Sequence, residues 1–246
     1  MNVSGVSQHL RRTRFRLMDL AVLLAAGLLV VQAPLSVLAA GWVPNLEPLP
    51  RLAALGLLAG YLIERTRAPG LLGLPLGLAL GIEAVAWTYA DLAPTGPLSE
   101  RVAWLSARVG GWVDTIAGGG VSNDPLVFAL AMALLAWLLG QLTAWLVFRD
   151  ASPWLAILFC GVGLLLNLSY ASTSLVGYVT WFGFAACLLL ASVQLANRAE
   201  LWRRAQLGVD WRIGLNLLLG TAVAAGALLS IAWALPDTAS PEVATG

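Results

Sequence analysis

The sequence predicts an all-α fold: a polytopic membrane protein of about seven transmembrane helices, with one further amphipathic helix at the membrane surface. Three observations predict it. The 246 residues are 59% hydrophobic and only 11% charged, where a soluble domain carries about 25% charged residues. Apolar runs of about 20 residues, each long enough to cross a hydrocarbon core of about 30 Å, recur along the chain. The charged stretch 97–120, which interrupts them, carries a helical apolar stripe instead of a continuous apolar run.

The elements follow in order. Residues 1–16 form a basic tail, "QHLRRTRFR", read as cytoplasmic. The first span is expected over 17–42; its apolar part is too long for the 7–15-residue core of a signal peptide, so it reads as an uncleaved span. A Pro-rich turn, "VPNLEPLPR", precedes a short second span over 49–63, which ends in "ERTR". Being short, it is expected to borrow residues from the turn or to sit tilted against its neighbours. The third span covers 69–92, and the surface helix 98–117. Further spans are expected over 125–148, 153–170, 175–196 and 213–235. A basic loop, "NRAELWRRAQLGVDWR", precedes the last of them, and 236–246 reads as an extracytoplasmic linker.

Seven spans with an inside N-terminus put the C-terminus outside, and the arginines agree. All 14 basic residues are Arg; 11 of them fall in the inside segments, and Arg51, Arg101 and Arg108 fall outside. The positive-inside rule therefore favours a plasma-membrane orientation with the N-terminus cytoplasmic. Trp42, Tyr89, Tyr170, Tyr178, Trp181 and Trp233 gather near the outer interface, and Trp145, Trp154, Trp202 and Trp211 near the inner one. Amphipathic rings favour that depth.

Within 98–117, Leu98, Val102, Leu105, Val109, Trp112 and Ile116 step by four and three, which marks one side of a helix. Glu100, Arg101, Arg108 and Asp114 lie off that stripe, and charges at mid-bilayer cost a few kcal/mol each on the mildest scale. The helix is therefore expected in the interface plane, apolar side down. An ordinary loop helix on the bundle rim is the plainer alternative. Ser99 is positioned to cap its start, and Gly118, Gly119 and Gly120 to end it.

Glu83 is the one acidic residue deep in a span, and an intramembrane carboxylate is a functional hypothesis by default. Gln32, Gln141, Asn167, Gln194 and Asn216 lie on other spans and are its possible partners; the plainer reading is hydrogen-bonded packing between helices. Gly73, Gly77 and Gly81, at four-residue spacing, let a neighbouring helix approach closely. Cys160 and Cys187 fall inside apolar runs and read as small core residues. His9, the only histidine, lies in the polar tail. "NLS" at Asn167 matches a glycosylation pattern but sits at a membrane edge. No phosphate-binding loop, dinucleotide fingerprint, zinc pattern, nucleophile elbow or nucleic-acid patch occurs, so no cofactor, metal or nucleic acid is expected.

The order of "AGWVPNLEPLPRLAALGLLAGYLIERTRAPG", "GGGVSNDPLVFALAMALLAWLLGQLTAWLVFRDASPWLA", "LLLNLSYA" and "LWRRAQLGVDW" resembles the N-terminal membrane region of bacterial transglutaminase-like membrane proteins. It covers about residues 42–235 and rests on the order and spacing of features. It implies a membrane domain that anchors an extracytoplasmic transglutaminase-like domain with a Cys–His–Asp triad, in the same chain or a partner. The chain ends at Gly246 with no residues to fill that triad, so it is expected to be non-catalytic: a fragment or a stand-alone anchor. A small transporter or channel centred on Glu83, and a structural subunit of a membrane complex bound through the glycine ladder, are the other readings.

Overall fold

The computed structural model describes residues 3–66, 70–120, 123–171, 175–204 and 211–234. Among these it is all-helical: α1 (Val3–Ala40), α2 (Leu49–Arg65), α3 (Gly70–Tyr89), α4 (Leu98–Ala117), α5 (Pro125–Phe148), α6 (Pro153–Tyr170), α7 (Val176–Arg204) and α8 (Trp211–Ala234). A single 3-10 turn, Ala90–Leu92, extends α3. Five segments are long and apolar enough to cross a membrane: Met18–Ala40, Leu72–Leu92, Pro125–Phe148, Pro153–Tyr170 and Val176–Ala199. The chain is thus a helical multi-pass membrane protein.

Most boundaries fall where the sequence places them. Pro125 and Pro153 sit in the first turns of α5 and α6, where the missing N–H is no loss. Two helices run further than expected. α1 extends back to Val3 through the basic tail. α7 continues to Arg204, through the first half of the expected basic loop; no Pro or Gly interrupts 184–204, and Ala, Leu, Glu and Arg are strong helix formers. The expected linker, 236–246, lies outside the described residues.

The centre of the bundle is the pairing of α2 with α5, the most extensive helix contact in the molecule, followed by that of α1 with α7. α2 buries Leu49, Leu52, Ala53, Gly56, Leu57, Gly60 and Ile63 on one side. α5 answers with Ala129, Ala133, Ala136, Gly140 and Ala144. A Cβ added at Gly140 would lie 2.6 Å from the Leu57 backbone nitrogen and closer still to the Ala53 carbonyl oxygen; one added at Gly60 would lie 2.7 Å from Ala144 Cβ. The two backbones therefore touch, as small residues at four-residue spacing permit. α6 packs on α1 and α5, α3 leans on α5 and α2, and α8 packs on α7.

Side-chain links set which helix ends lie together. At one end Arg65 pairs with Asp19 (2.6 Å) and Arg149 with Glu64 (2.9 Å), joining α1, α2 and α5. At the other, Trp42 Nε1 donates to Asn167 Oδ1 (2.8 Å), and the Tyr89 hydroxyl to the Asn45 carbonyl (2.7 Å). α4 lies at this second end.

Candidate functional site

The four residues of the expected intramembrane polar site are not brought together. Glu83 is exposed on the outside of the bundle. It follows Gly81 by two residues, about 200° round the helix, and Gly81 faces α5; Glu83 must therefore face away. Asn216 and Gln194 are also exposed, on α8 and α7. Gln32 is buried and donates to the Leu28 carbonyl on its own helix (3.0 Å).

Gln141 and Asn167 serve packing at opposite ends. Gln141 Nε2 donates to the Gly73 carbonyl of α3 (3.2 Å), and Trp137 Nε1 to the Gly77 carbonyl (2.9 Å). The glycine ladder of α3 is what admits them. A Cβ on Gly81 would lie 2.5 Å from Trp137 Cδ1, and one on Gly77 would fall within the Gln141 amide. Gly77 and Gly81 thus receive two side chains of α5, rather than a bare neighbouring backbone, while a Cβ on Gly73 would lie 3.2 Å from Ile63 Cγ2 of α2. Gln141 Oε1 is the one buried side-chain oxygen or nitrogen without a hydrogen-bond partner among the described residues. Asn167 accepts from Trp42 and donates to Ser36 Oγ (3.0 Å), which donates to the Ala33 carbonyl (2.7 Å). Both amide atoms of Asn167 are engaged in a buried chain of bonds, which is no place for a glycan.

Cys160 is buried beside Thr143 Oγ1 at 3.4 Å, while Cys187 is exposed on α7. The two are not a pair, and no cluster of three metal-ligating side chains occurs among the described residues.

The chemistry that is gathered in one place is at the end bearing α4. The helix spans Leu98–Ala117, the range the stripe predicts. Its cap differs. Pro97 occupies the N-cap position and no side chain bonds there, because Ser99 already lies inside the first turn. At the other end the Gly119 N–H bonds the Ile116 carbonyl and the Gly120 N–H the Thr115 carbonyl (2.9 Å each). With Gly119 at φ +76°, this is a Schellman stop, which favours a residue without Cβ.

α4 is tied down by two arginines one heptad apart. Arg101 Nη1 donates to Asp91 Oδ1 (2.9 Å) and its Nε to the Gly96 carbonyl (3.0 Å). Arg108 Nη2 lies 2.7 Å from Asp124 Oδ2, and the guanidinium stacks over Trp104, 5.0 Å from the ring centroid. Asp124 also caps α5, its Oδ1 accepting from the Leu126 N–H (3.0 Å). Burial raises the Asp124 pKa, but the hydrogen bonds and charge of Arg108 with the backbone N–H groups of Leu126 and Val127 outweigh it, and the carboxyl sits below its ordinary value.

Of the stripe, Leu105 alone is buried, and Trp112 is half-buried. Leu98, Val102, Val109 and Ile116 are exposed, together with Val113. At 100° per residue the stripe centres about a quarter-turn away from Arg101 and Arg108. One side of α4 therefore meets the bundle, the next is apolar and open, and the far side, with Ala103, Ala107 and Asp114, is exposed and carries little apolar bulk. No protein-family model matches the chain, and no curated protein or solved structure does either.

Proposed function

We propose that the chain is a non-catalytic membrane anchor of the bacterial plasma membrane. It crosses seven times, N-terminus inside and C-terminus outside, and presents α4 as a shelf beneath an extracytoplasmic transglutaminase-like enzyme domain. The observation that carries this reading is the double clamp on α4, which leaves an apolar side for lipid and a polar side for whatever stands above. The sixth and seventh spans are α2 and α8. α2 has 17 residues, about 25 Å; it falls short of the bilayer but runs buried beside α5 with ion pairs at its end. The two sets of end contacts alternate along the chain as successive crossings require. Eleven of the 14 arginines then lie inside, which favours the end bearing α4 as the outer one.

Cysteine labelling tests the arrangement. With Cys160 and Cys187 replaced by Ala, an Ala107→Cys variant should react with an impermeant maleimide in intact cells. A photo-crosslinker at Ala107 should capture a Cys–His–Asp enzyme encoded in the continuing or adjacent reading frame. Labelling only after permeabilisation, or crosslinks that put Trp104 on the cytoplasmic side, would sink the reading.

The outward position of Glu83 favours a second reading, a subunit of a membrane complex. A carboxyl group facing lipid costs about 3 kcal/mol if ionised on insertion scales, and a partner helix bringing a donor would relieve that cost. Glu83→Leu discriminates: a subunit loses its partner while its own fold persists, and an anchor loses nothing. Transport centred on Glu83 draws no support from a residue turned away from the other polar groups.

A further inference from the structure

The two ion pairs that hold α4 are unlike, and the difference defines a site. Asp124 uses both carboxylate oxygens and its side chain is 18% exposed. Asp91 uses one oxygen, toward Arg101, and its side chain is 87% exposed. The Arg101 guanidinium has five N–H donors; its bonds to Gly96 and Asp91 leave three without a partner among the described residues. Between them opens a cavity of about 300 Å³ lined by Trp87, Ala90, Asp91, Gly96, Leu98 and Arg101. That is the lower end of the range small-molecule sites occupy. A second carboxylate stands on the rim, since a Cβ on Gly96 would lie 2.7 Å from Glu100 Oε2.

The cavity lies where the span Leu72–Leu92 ends, at the depth of lipid headgroups. Trp87 and Leu98 border it and are 68% and 46% exposed, as side chains in contact with acyl chains are. The polar lining offers a guanidinium with open donors, in contact with Asp91 through one carboxylate oxygen while the other stays open, and the Glu100 carboxylate beside Gly96. The geometry points to a binding site for a zwitterionic phospholipid with a primary ammonium headgroup. Its phosphate meets Arg101, its ammonium meets Asp91 and Glu100, and its chains lie along Trp87 and Leu98. A primary ammonium donates three hydrogen bonds; a trimethylated one donates none. A glycerol headgroup sets the same phosphate against Arg101 but brings no cation to the two carboxylates, so the net charge it adds is unfavourable there. The site therefore selects ethanolamine over choline and over glycerol headgroups. It needs the bundle to be in a bilayer, but neither the anchor role nor the side on which α4 lies.

Native mass spectrometry of the purified full chain, with dioleoyl lipids bearing ethanolamine, choline and glycerol headgroups in equal amounts, tests it. The ethanolamine lipid should be retained several-fold over both others. Arg101→Gln should weaken retention of all three. Asp91→Asn, at an exposed side chain where folding is not at risk, should abolish the preference over choline and raise binding of the glycerol lipid. Asp124→Asn, at the saturated pair, should leave the preference in place. Equal retention of the three lipids, or an undiminished preference in Asp91→Asn, overturns the assignment. So does displacement by soluble glycerophosphoethanolamine at the same concentration, which would make the ligand a free phosphoester rather than a lipid.

Discussion

Replacing Gly140 by Ala tests the centre of the bundle. The added methyl would lie 2.6 Å from the Leu57 nitrogen and closer to the Ala53 carbonyl, where ordinary contact begins near 3.4 Å. Both obstacles are backbone of α2, so no rotamer change relieves them, and the helix axes must part by roughly 1 Å. A gap of that size forfeits a quarter to a half of each dispersion contact it opens, along the side of α2 that buries Leu52, Ala53 and Leu57. Overpacking of this kind costs about 3 kcal/mol, the upper part of its usual range, while the helix propensity of Ala over Gly returns about 1 kcal/mol. The net expectation is a loss of about 2 kcal/mol. Unfolding by steric trapping in bicelles measures it. Gly220→Ala, in open space on α8, reports propensity alone and should not destabilise. Gly56→Ala meets the Trp137 backbone across the same crossing, its Cβ 3.0 Å from the carbonyl carbon. Once the axes have parted for one methyl the second costs little, so the double variant should lose clearly less than the sum of the singles. A Gly140→Ala protein as stable as the parent would refute the close crossing.

Other expectations follow from the same contacts. Gly77→Ala should destabilise the protein in the same assay, and Gln141→Ala should restore much of the loss, because a Cβ at Gly77 collides with the Gln141 amide; no rescue would mean that α3 is displaced for another reason. Gly110→Ala meets nothing within 4 Å and should strengthen α4 by about 1 kcal/mol, read as slower amide exchange across 98–117. The depressed pKa of Asp124 makes the Arg108 clamp fully present at neutral pH and lost as pH falls below about 4, through the folded value. A spin label at Ala107 should gain mobility over that window, and Asp124→Asn, which keeps the capping oxygen, should be mobile at neutral pH and insensitive to acid.

The element boundaries were legible because apolar length and Pro or Gly punctuation decide them locally. The range of α4 came from one stripe and one run of glycines. What periodicity does not carry is which side of a uniformly apolar helix faces inward. α3 is apolar all round, so its three glycines and Glu83 could be placed on it but not oriented toward a partner. The glycines of the α2–α5 crossing, Gly56, Gly60 and Gly140, are not marked by apolar length, although "GLLAG" shows the same small-residue spacing as the ladder on α3. That spacing was the signal that would have found them. The partners of Arg101 and Arg108 were likewise hidden, since Asp91 and Asp124 lie 10 and 16 residues away in sequence and only the folded turns bring them back.

The distribution of polar groups separates structural from available chemistry. Gln141, Trp137, Asn167, Ser36 and Asp124 spend their hydrogen bonds on neighbouring helices, and each fixes a contact that hydrophobic burial cannot fix in a membrane, where lipid tails are as apolar as the core. Among the residues with capacity left over, Glu83 lies on the outer side of α3, and Asp91 and Arg101 lie beside the cavity at its end. Both places lie on α3, the helix whose inner side is emptied to glycine so that α5 can reach it. The outer side of a helix so thinly held from within is free to carry groups that serve something other than the bundle. Exchanging Asn167 or Trp137 should therefore destabilise the protein without altering which lipid its folded fraction holds. Exchanging Asp91 should alter the lipid without unfolding the protein.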